Sequence, residues 1–405
     1  MKESKSKCID ESEYLKDYND LLSTAALEFK NKFAAIASPT LSKQETITFL
    51  YRNIKQHREF NYSKQYLLFI PRLLKHFWII IYYSLKYRVK KLPKNLIYFR
   101  SWLHPRCITK TGLIDEYFRK LPHKILESEN VIVGLHPYDY AVLKKLNNDL
   151  IKSPFIITIG LLSIKEIKSI FYNYLRTSFL KVKQEYLLGN QNITNHINNS
   201  LLSDYLMFRP LTAYIDRYIC EKVDNFKPKA FVYVFENQSW EKVCCDFFSK
   251  KKTKCIAIQG SGFSKLFLNF FPSNVDYVNS NYPDVILTVG DLFSKFLMEQ
   301  TNIKTSIETF GALRFSYPTR NSKYLISESN NKKLNKILYA FSVHTEQYEG
   351  IVKDLIMIFG NTSILIDLKF HPQYEKVKKI KSILPSNFSI VKDFNKKNIN
   401  LRYDL

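Results

Sequence analysis

Glycine is scarce in this chain, with 10 residues among 405. The glycine-rich phosphate-binding patterns G-x-G-x-x-G and G-x-x-x-x-G-K-[ST] are both absent. So is the G-x-S-x-G turn that carries the nucleophilic serine of α/β-hydrolases. The sequence therefore supports neither a P-loop NTPase, nor a dehydrogenase with the usual dinucleotide fingerprint, nor a serine hydrolase.

Cysteine pairs and long apolar runs are missing as well. The six cysteines include no C-x-x-C pair, which argues against a zinc site and a disulfide framework and fits a reducing cytosol. The first fifteen residues have no apolar core, so we expect no signal peptide. The longest uncharged apolar run, residues 76–85, is shorter than the roughly 20 residues that span a bilayer. These features predict a cytoplasmic protein without a metal cofactor.

Positive charge is in large excess, because 61 lysines and arginines stand against 37 acidic residues, a formal net charge of +24. Such a balance is typical of proteins that meet nucleic acid or an anionic membrane surface. A solvated, lysine-rich surface produced by codon bias explains the same number. The lysines are spread along the chain and no nucleic-acid-binding module is recognisable, so we expect no nucleic-acid partner.

Residues 64–92 combine aromatic and aliphatic side chains with lysine and arginine. A basic, aromatic-rich amphipathic helix is typical of segments that lie on an anionic membrane surface. A buried helix with solvated lysines at its ends is the alternative. The first interpretation adds peripheral contact with the inner face of the cytoplasmic membrane to the predicted location.

An alternation of strands and helices begins near residue 95 and predicts an α/β fold. Residues 231–235 and 255–258 are short apolar runs of the kind buried on both faces of a parallel sheet, joined by a helix that carries Trp240. Further predicted strands cover residues 95–103, 130–135, 154–159, 284–289, 306–310, 336–341, 363–368 and 388–391. Predicted helices include residues 114–128, 163–188 and 200–225.

A polar break at residues 279–283 divides this series in two. We predict a helical N-terminal region over residues 1–92, a Rossmann-like domain over residues 93–280 and a second Rossmann-like domain over residues 281–405. Two doubly wound domains that face each other across a cleft would place their polar strand ends there. Open α/β sheets bind ligands at that edge.

Polar residues end the two central strands of the first predicted domain. Glu236 could act as a general base if burial raises its pKa, and the alternative is that it caps the following helix or pairs with a lysine. Gln259 and Ser261 lie beside Gly260 and Gly262 and could bring backbone N–H groups to a ligand. A simple tight turn is the alternative for that segment.

The second predicted domain offers groups that suit a phosphate. Arg314 follows a glycine turn and could hold a phosphate, and a surface arginine is the alternative. Ser342, His344 and Thr345 precede a helix, where they form an anion site or act as ordinary caps. His371 ends a predicted strand, is followed by proline, and could donate a hydrogen bond to a phosphate.

Several of these segments resemble motifs of bacterial surface-carbohydrate biosynthesis proteins. Residues 235–242 (FENQSWEK) look like their E-N-x-x-W-E segment, and residues 257–261 (AIQGS) are similar to their G-x-Q-H-S/G strand end. Residues 311–314 (GALR) resemble a G-x-x-R turn, and residues 115–122 (DEYFRKLP) resemble a Y-F-G-x-L-P segment. Residues 368–372 (LKFHP) resemble the K-x-H-P motif of capsular Kdo transferases, sialyl- and polysialyltransferases and CDP-glycerol glycerophosphotransferases. The resemblance covers about residues 95–405.

The resemblance implies a GT-B architecture and a metal-independent transfer of sugar from a nucleotide-activated donor to a surface polysaccharide or lipid-linked glycan. It implies that His371 contacts the donor phosphate and that Arg314 contacts the donor or the cleft. It makes Glu236 the candidate base on the acceptor side, and Lys369 belongs to the same motif as His371. A CMP-activated donor is expected, because the His-Pro motif is common in enzymes that use CMP-activated acidic sugars.

The chain departs from this family pattern in two places. Gly260 stands where the family has histidine, so any role of that histidine is lost. The chain ends at Leu405, where the family continues into a serine-bearing loop and an acidic helix, so we expect an incomplete nucleotide-sugar domain. An inactive relative that binds polysaccharide or partner enzymes is therefore the alternative function, and nucleotide binding separates the two.

Overall fold

The computed structural model describes residues 11–43, 62–177, 180–260, 262, 268–272, 281–301, 303–311, 313, 336–341, 348–370 and 380–391. The chain forms two compact units, residues 1–316 and residues 317–405. Within the described residues, no helix combines the length and the apolar character needed to cross a membrane.

The first unit is built on a parallel sheet of seven strands in the order β3-β2-β1-β6-β7-β8-β9. The strands are β1 Ile97–Leu103, β2 Val131–Pro137, β3 Phe155–Ile157, β6 Ala230–Phe235, β7 Lys254–Gln259, β8 Val285–Thr288 and β9 Ser306–Thr309. A separate antiparallel pair joins β4 Leu187–Leu188 to β5 Gln191–Asn192. The sheet starts at β1, runs outward through β2 and β3, and returns to the other side of β1 with β6. This is the strand order of a doubly wound Rossmann sheet, with its topological switch point between β1 and β6. The predicted α/β class is confirmed.

Helices precede and connect these strands. They are α1 Glu11–Leu27, α2 Lys32–Ala37, α3 Tyr62–Lys86, α4 Leu121–Leu126, α5 Ile164–Arg176, α6 Thr194–Leu206, α7 Leu211–Asp224, α8 Ser239–Lys250 and α9 Asp291–Gln300. The central strands are mostly apolar, and every residue of β2 is buried. Such strands lose water on both faces, as a parallel sheet covered by helices requires.

The predicted domain boundary near residue 280 is wrong. Strand β8 pairs with β7, and β9 pairs with β8, so both belong to the first sheet. The division between the compact units falls after Ser316. Tyr282, which belongs to the polar segment that suggested a break, is held to the first unit, because its hydroxyl accepts a hydrogen bond from the Asn237 amide at 2.6 Å.

Two predicted helices are shorter in the structure. The helix expected over residues 114–128 is reduced to α4, because the Asp115 carboxylate accepts backbone N–H groups from Tyr117 and Phe118 and Arg119 has a positive φ of 51°. The helix expected over residues 163–188 ends at Arg176. The β4–β5 pair follows, and it turns at Gly189, whose φ is +58°.

The second unit contains a parallel sheet in the order β10-β11-β12. The strands are β10 Lys336–Ala340, β11 Leu365–Lys369 and β12 Phe388–Ile390, and helix α10 spans Tyr348–Phe359. Three aromatic side chains pack together in the hydrophobic core of this unit. The rings of Phe341 and Phe370 stack at 4.5 Å, and the ring of Tyr348 lies 4.6 Å from that of Phe341. A strand–helix–strand unit therefore recurs in this part of the chain.

Candidate active site at the carboxyl edge of the first sheet

The carboxyl ends of β1, β2, β6 and β7 lie side by side at the switch point. The residues that follow these strands are His104 after β1, Tyr138 after β2, Glu236 after β6 and Gly260 after β7. Open α/β sheets bind their ligands at this edge, next to the switch point. The polar strand ends expected from the sequence are thus brought to the position where a ligand site is formed.

A chain of contacts joins Glu236 to the end of β2. The Gln238 amide donates to Oε2 of Glu236 at 2.7 Å and accepts from the indole N–H of Trp240 at 2.9 Å. The Trp240 ring packs edge to face on Trp102 at 5.6 Å, and Trp102 packs on Tyr138 at 5.9 Å. Glu236 and Gln238 are half-buried, and the Tyr138 side chain is 69% exposed.

The contacts continue from Tyr138 to the end of β7. The rings of Tyr138 and His104 lie 4.8 Å apart, and the Tyr117 hydroxyl lies 3.4 Å from Nε2 of His104. The Tyr117 ring in turn lies against Gly260. We call His104, Tyr117, Tyr138, Glu236 and Gln238 the strand-end cluster.

Glu241 caps the helix that follows β6. Its carboxylate accepts the backbone N–H groups of Glu236 at 3.2 Å, Asn237 at 2.8 Å and Gln238 at 3.1 Å. Asn237 has a φ of 51°, a left-handed conformation that asparagine tolerates, and it turns the chain sharply between the strand and the helix. Glu241 therefore satisfies the three N–H groups of the turn between β6 and the helix.

Burial and the neighbouring Glu236 raise the pKa of Glu241 well above its ordinary value. The three backbone N–H groups act in the opposite direction, because they favour the ionised carboxylate. Glu241 is 1% exposed, so desolvation outweighs these hydrogen bonds. Two carboxyl groups thus lie close together at the end of β6, one fully buried and one half-buried.

Gln259 and Gly260 have structural partners at the end of β7. The Gln259 side-chain oxygen accepts the backbone N–H of Val289 at 2.9 Å, which ties β7 to the loop after β8. A Cβ added at Gly260 would lie 2.2 Å from Cγ1 of Val234 and 3.4 Å from Cδ1 of Tyr117. No side chain fits there without movement of these neighbours.

A buried ion pair supports the cluster from below. The Arg100 guanidinium donates to Asp216 at 2.8 Å and 3.4 Å, and both side chains are 1% exposed. The guanidinium also lies between two indole rings, 4.1 Å from Trp102 and 3.9 Å from Trp240. Nδ1 of His136 lies 3.7 Å from Asp216, and burial with the nearby Arg100 lowers the pKa of His136 well below its ordinary value. The two tryptophans of the strand-end contacts are therefore fixed by a charged group in the core.

The arrangement suits proton transfer and the binding of a polar, ring-shaped molecule. A half-buried carboxylate and an imidazole are both able to act as acid or base. Exposed aromatic rings next to hydrogen-bonding side chains are typical of small-molecule sites. Among the described residues, no group of three or more histidine, cysteine, aspartate or glutamate side chains is placed to hold a metal ion.

Three of the nine predicted site residues lie in the described ranges: Glu236, Gln259 and Lys369. Lys369 is the last residue of β11, and its carbonyl accepts the backbone N–H of Phe341 at 2.9 Å. The other six lie outside the described residues: Ser261, Arg314, Ser342, His344, Thr345 and His371. Their roles remain predictions.

Sequence reasoning missed three residues of this edge. His104 carries the same His-Pro dipeptide as His371, but its position at the switch point depends on strand order. Tyr138 follows a strand by one residue, and nothing in the local sequence marks its ring as exposed. Glu241 follows Gln238 by three residues, the spacing of a helix cap, and this was the one signal available.

A cavity of about 900 Å³ lies elsewhere in the first unit, among α2, α5, α7 and α8, and no member of the strand-end cluster lines it. Two of its cationic side chains already have partners. Arg217 pairs with Glu221 at 3.2 Å, and Lys250 pairs with Asp246 at 2.6 Å. Its size alone therefore does not make it the better candidate for the chemistry.

Comparison with known proteins gives distant structural similarity only. No protein family and no curated protein sequence matches the chain. UDP-N-acetylglucosamine 2-epimerase from Rickettsia bellii aligns with a TM-score of 0.35 and 12% identity over 75% of this chain and 70% of that one. The Neisseria meningitidis enzyme bound to UDP-GlcNAc gives 0.36 and 11% over 74% and 72%, and the Methanocaldococcus jannaschii enzyme gives 0.34 and 13% over 74% of each. TM-scores and identities this low do not place the chain in a family. The assignment of the fold therefore depends on the strand order described above.

Proposed function

We propose that this protein acts on nucleotide sugars and that it is a glycosyltransferase, with the strand-end cluster as its acceptor side. The observation that carries the proposal is the Glu236 carboxylate at the switch point. It is half-buried, receives a hydrogen bond from Gln238, and lies beside Glu241, which accepts the backbone N–H groups of the turn. A carboxylate in such a place is suited to accept a proton from a bound hydroxyl group.

The surroundings of Glu236 fit a sugar better than a phosphate. The exposed Tyr138 ring offers a flat surface for the apolar face of a sugar, and His104 and Gln238 offer hydrogen bonds to its hydroxyl groups. In the turn beside them, Glu241 accepts the backbone N–H groups of Glu236, Asn237 and Gln238, so these three groups are not available to an anion.

In the proposed reaction, Glu236 takes the proton of an acceptor hydroxyl. The acceptor oxygen then forms a bond to the anomeric carbon of the donor, and the bond from that carbon to the phosphate oxygen breaks. The nucleotide leaves as an anion, which positive groups stabilise. The motif resemblance supports Arg314, Lys369 and His371 as such groups, together with the helix N-terminal residues Ser342, His344 and Thr345. Gln259 and Ser261 complete the proposed contacts.

Calorimetric titration with CMP, CDP and UDP tests the donor site, and CMP is the expected ligand. We expect one nucleotide to bind at micromolar concentration, with weaker binding in His371→Ala. Glu236→Gln should leave that binding unchanged and remove sugar transfer, and Glu129→Gln, a surface carboxylate change, should affect neither. Absence of binding by all three nucleotides would refute the transferase and leave the inactive relative.

A second assay separates transfer from other nucleotide-sugar chemistry. The protein is incubated with UDP-GlcNAc and no acceptor, and the sugar is followed by proton NMR. We expect no change at C2 of the sugar. Epimerisation at that carbon would contradict glycosyl transfer while keeping a nucleotide-sugar role.

A further inference from the structure

Helix α3 is fixed to the first unit along one face. Its Phe69 ring stacks on Phe208 at 5.2 Å, and the Ser84 hydroxyl donates to the carbonyl of Leu162 at 2.5 Å. Just after the helix, the Tyr87 hydroxyl lies 3.0 Å from the carbonyl oxygens of Leu143 and Leu146. These contacts hold the helix at both ends, so its opposite face has a defined orientation toward solvent.

That opposite face is apolar and exposed. Six large side chains recur at intervals of three or four residues, which places them along one side of a helix. Leu67 is 80% exposed and Trp78 is 63% exposed, and the other four are at least 52% exposed. We call these six the apolar stripe: Leu67, Ile70, Leu74, Trp78, Tyr82 and Leu85. Contiguous apolar surface on this scale marks an interaction site in most soluble proteins.

The charge around the stripe is of one sign. From Phe60 to Ile114 the chain contains 11 lysines and arginines and no aspartate or glutamate. Lys64, Lys75 and Lys86 follow one another at intervals of eleven residues, about three helical turns, so they lie along one flank of the stripe. The segment after the helix adds four exposed basic residues, Arg88, Lys90, Lys91 and Lys94.

We propose that α3 docks the protein on an anionic lipid surface, with the apolar stripe inserted at the level of the headgroups and the exposed basic side chains paired with lipid phosphates. A helix with an apolar face, flanking basic residues and aromatic side chains has the features of an in-plane interfacial helix. The carboxylate-free stretch favours this occupant over a second copy of the chain, because two copies docked by α3 would bring their positive flanks together. This surface is separate from the strand-end cluster.

Vesicle binding by the full chain tests the proposal. We expect sedimentation with phosphatidylcholine vesicles that contain phosphatidylglycerol, much weaker sedimentation with phosphatidylcholine alone, and loss of binding as salt is raised. Replacing Leu67, Leu74 and Trp78 by serine should lower the partition coefficient by roughly a hundredfold, because these side chains supply the inserted apolar area. The matched control replaces three exposed apolar residues of α5, Ile164, Tyr172 and Leu175, by serine and should bind like the wild type.

Tryptophan emission shows whether the stripe itself enters the lipid. Trp78 is exposed, whereas Trp240 is buried and Trp102 is half-buried, and both of these pack against Arg100. Vesicles should therefore shift the emission to the blue, brominated lipid should quench it, and both effects should vanish in Trp78→Phe. Equal sedimentation of the serine variant and the wild type would overturn the proposal. So would a concentration-dependent dimer, seen by sedimentation velocity, that the serine variant abolishes. Nucleotide titration of the same variant keeps this outcome distinct from the proposed catalytic function.

Discussion

The pair Arg100–Asp216 is the most consequential buried interaction of the first unit. In Asp216→Asn the guanidinium keeps its charge but loses its counterion, and a neutral amide oxygen, the Ser101 carbonyl at 3.1 Å and the two indole faces are left beside it. Both side chains are 1% exposed, so water does not replace the missing partner without rearrangement. Breaking a buried pair in this way costs about 3–5 kcal/mol of the free energy of unfolding.

The double replacement Arg100→Met with Asp216→Leu should behave differently. Burial raises the pKa of Asp216 although Arg100 lowers it, so the site as a whole opposes the ionised carboxylate. The attraction between Arg100 and Asp216 therefore does little more than offset the free-energy cost of removing both charges from water. Replacing both members by apolar residues should leave the free energy of unfolding within about 1 kcal/mol of the wild type, or raise it.

Urea unfolding followed by tryptophan emission measures these changes in the first unit alone, because all three tryptophans of the chain precede Ser316. The control is Glu129→Gln, which breaks the exposed Lys229–Glu129 pair at 2.6 Å and should cost at most about 1 kcal/mol. If Asp216→Asn costs no more than this surface change, the reasoning from burial is refuted. A double variant as unstable as the single one would refute the argument from desolvation.

Three further predictions follow from the same unit. Gly260→Ala should lower the free energy of unfolding by about 1–3 kcal/mol, because the added Cβ clashes with Val234. In Gly262→Ala the added Cβ has no atom within 4 Å, so the free energy of unfolding should change by less than about 0.5 kcal/mol. Urea unfolding compares the two variants, and equal effects would contradict the steric explanation. Because the pKa of Glu241 is raised in the folded state, the stability of the wild type relative to Glu241→Gln should be greatest at low pH and fall as the pH rises through that pKa. Thermal melts of both proteins between pH 5 and pH 8 measure this difference in stability. The opposite pH dependence would show that the hydrogen bonds from the backbone N–H groups outweigh desolvation. Five of the six cysteines are buried free thiols. Ellman's reagent should therefore modify at most one thiol per native chain and all six thiols of the chain in urea. Rapid reaction of several thiols in the native protein would contradict their burial.

The local pattern of the sequence predicts the strands well and their neighbours poorly. The two central strands, expected over residues 231–235 and 255–258, occur at Ala230–Phe235 and Lys254–Gln259, because unbroken apolar runs between polar turns specify them locally. The pairing of β8 with β7 depends on contacts that no local pattern contains. The polar segment before β8 therefore suggested a boundary, although the Tyr282 hydroxyl binds Asn237 in the first unit.

The candidate site was predictable to the same degree. The sequence marked Glu236 as the polar end of a buried strand, and the structure places it at the switch point. It could not show that Glu241 reaches back to the N–H groups after β6, because that geometry depends on the left-handed turn at Asn237. Nor could it place His104 beside Tyr138, since these residues come from different strands and meet only through the parallel pairing of β1 and β2.

The Glu241 cap has a consequence for how an enzyme of this kind would sort its substrates by charge. In many Rossmann folds, free backbone N–H groups at the amino end of a helix bind a phosphate. After β6 of this chain, the side chain of Glu241 accepts three backbone N–H groups at the corresponding position. To bind these three N–H groups, a diphosphate would have to displace Glu241, and it would then lie next to Glu236. The N–H groups of Glu236, Asn237 and Gln238 are thus not available to a bound anion while Glu241 accepts them, whereas an uncharged hydroxyl group of a sugar does not compete for them.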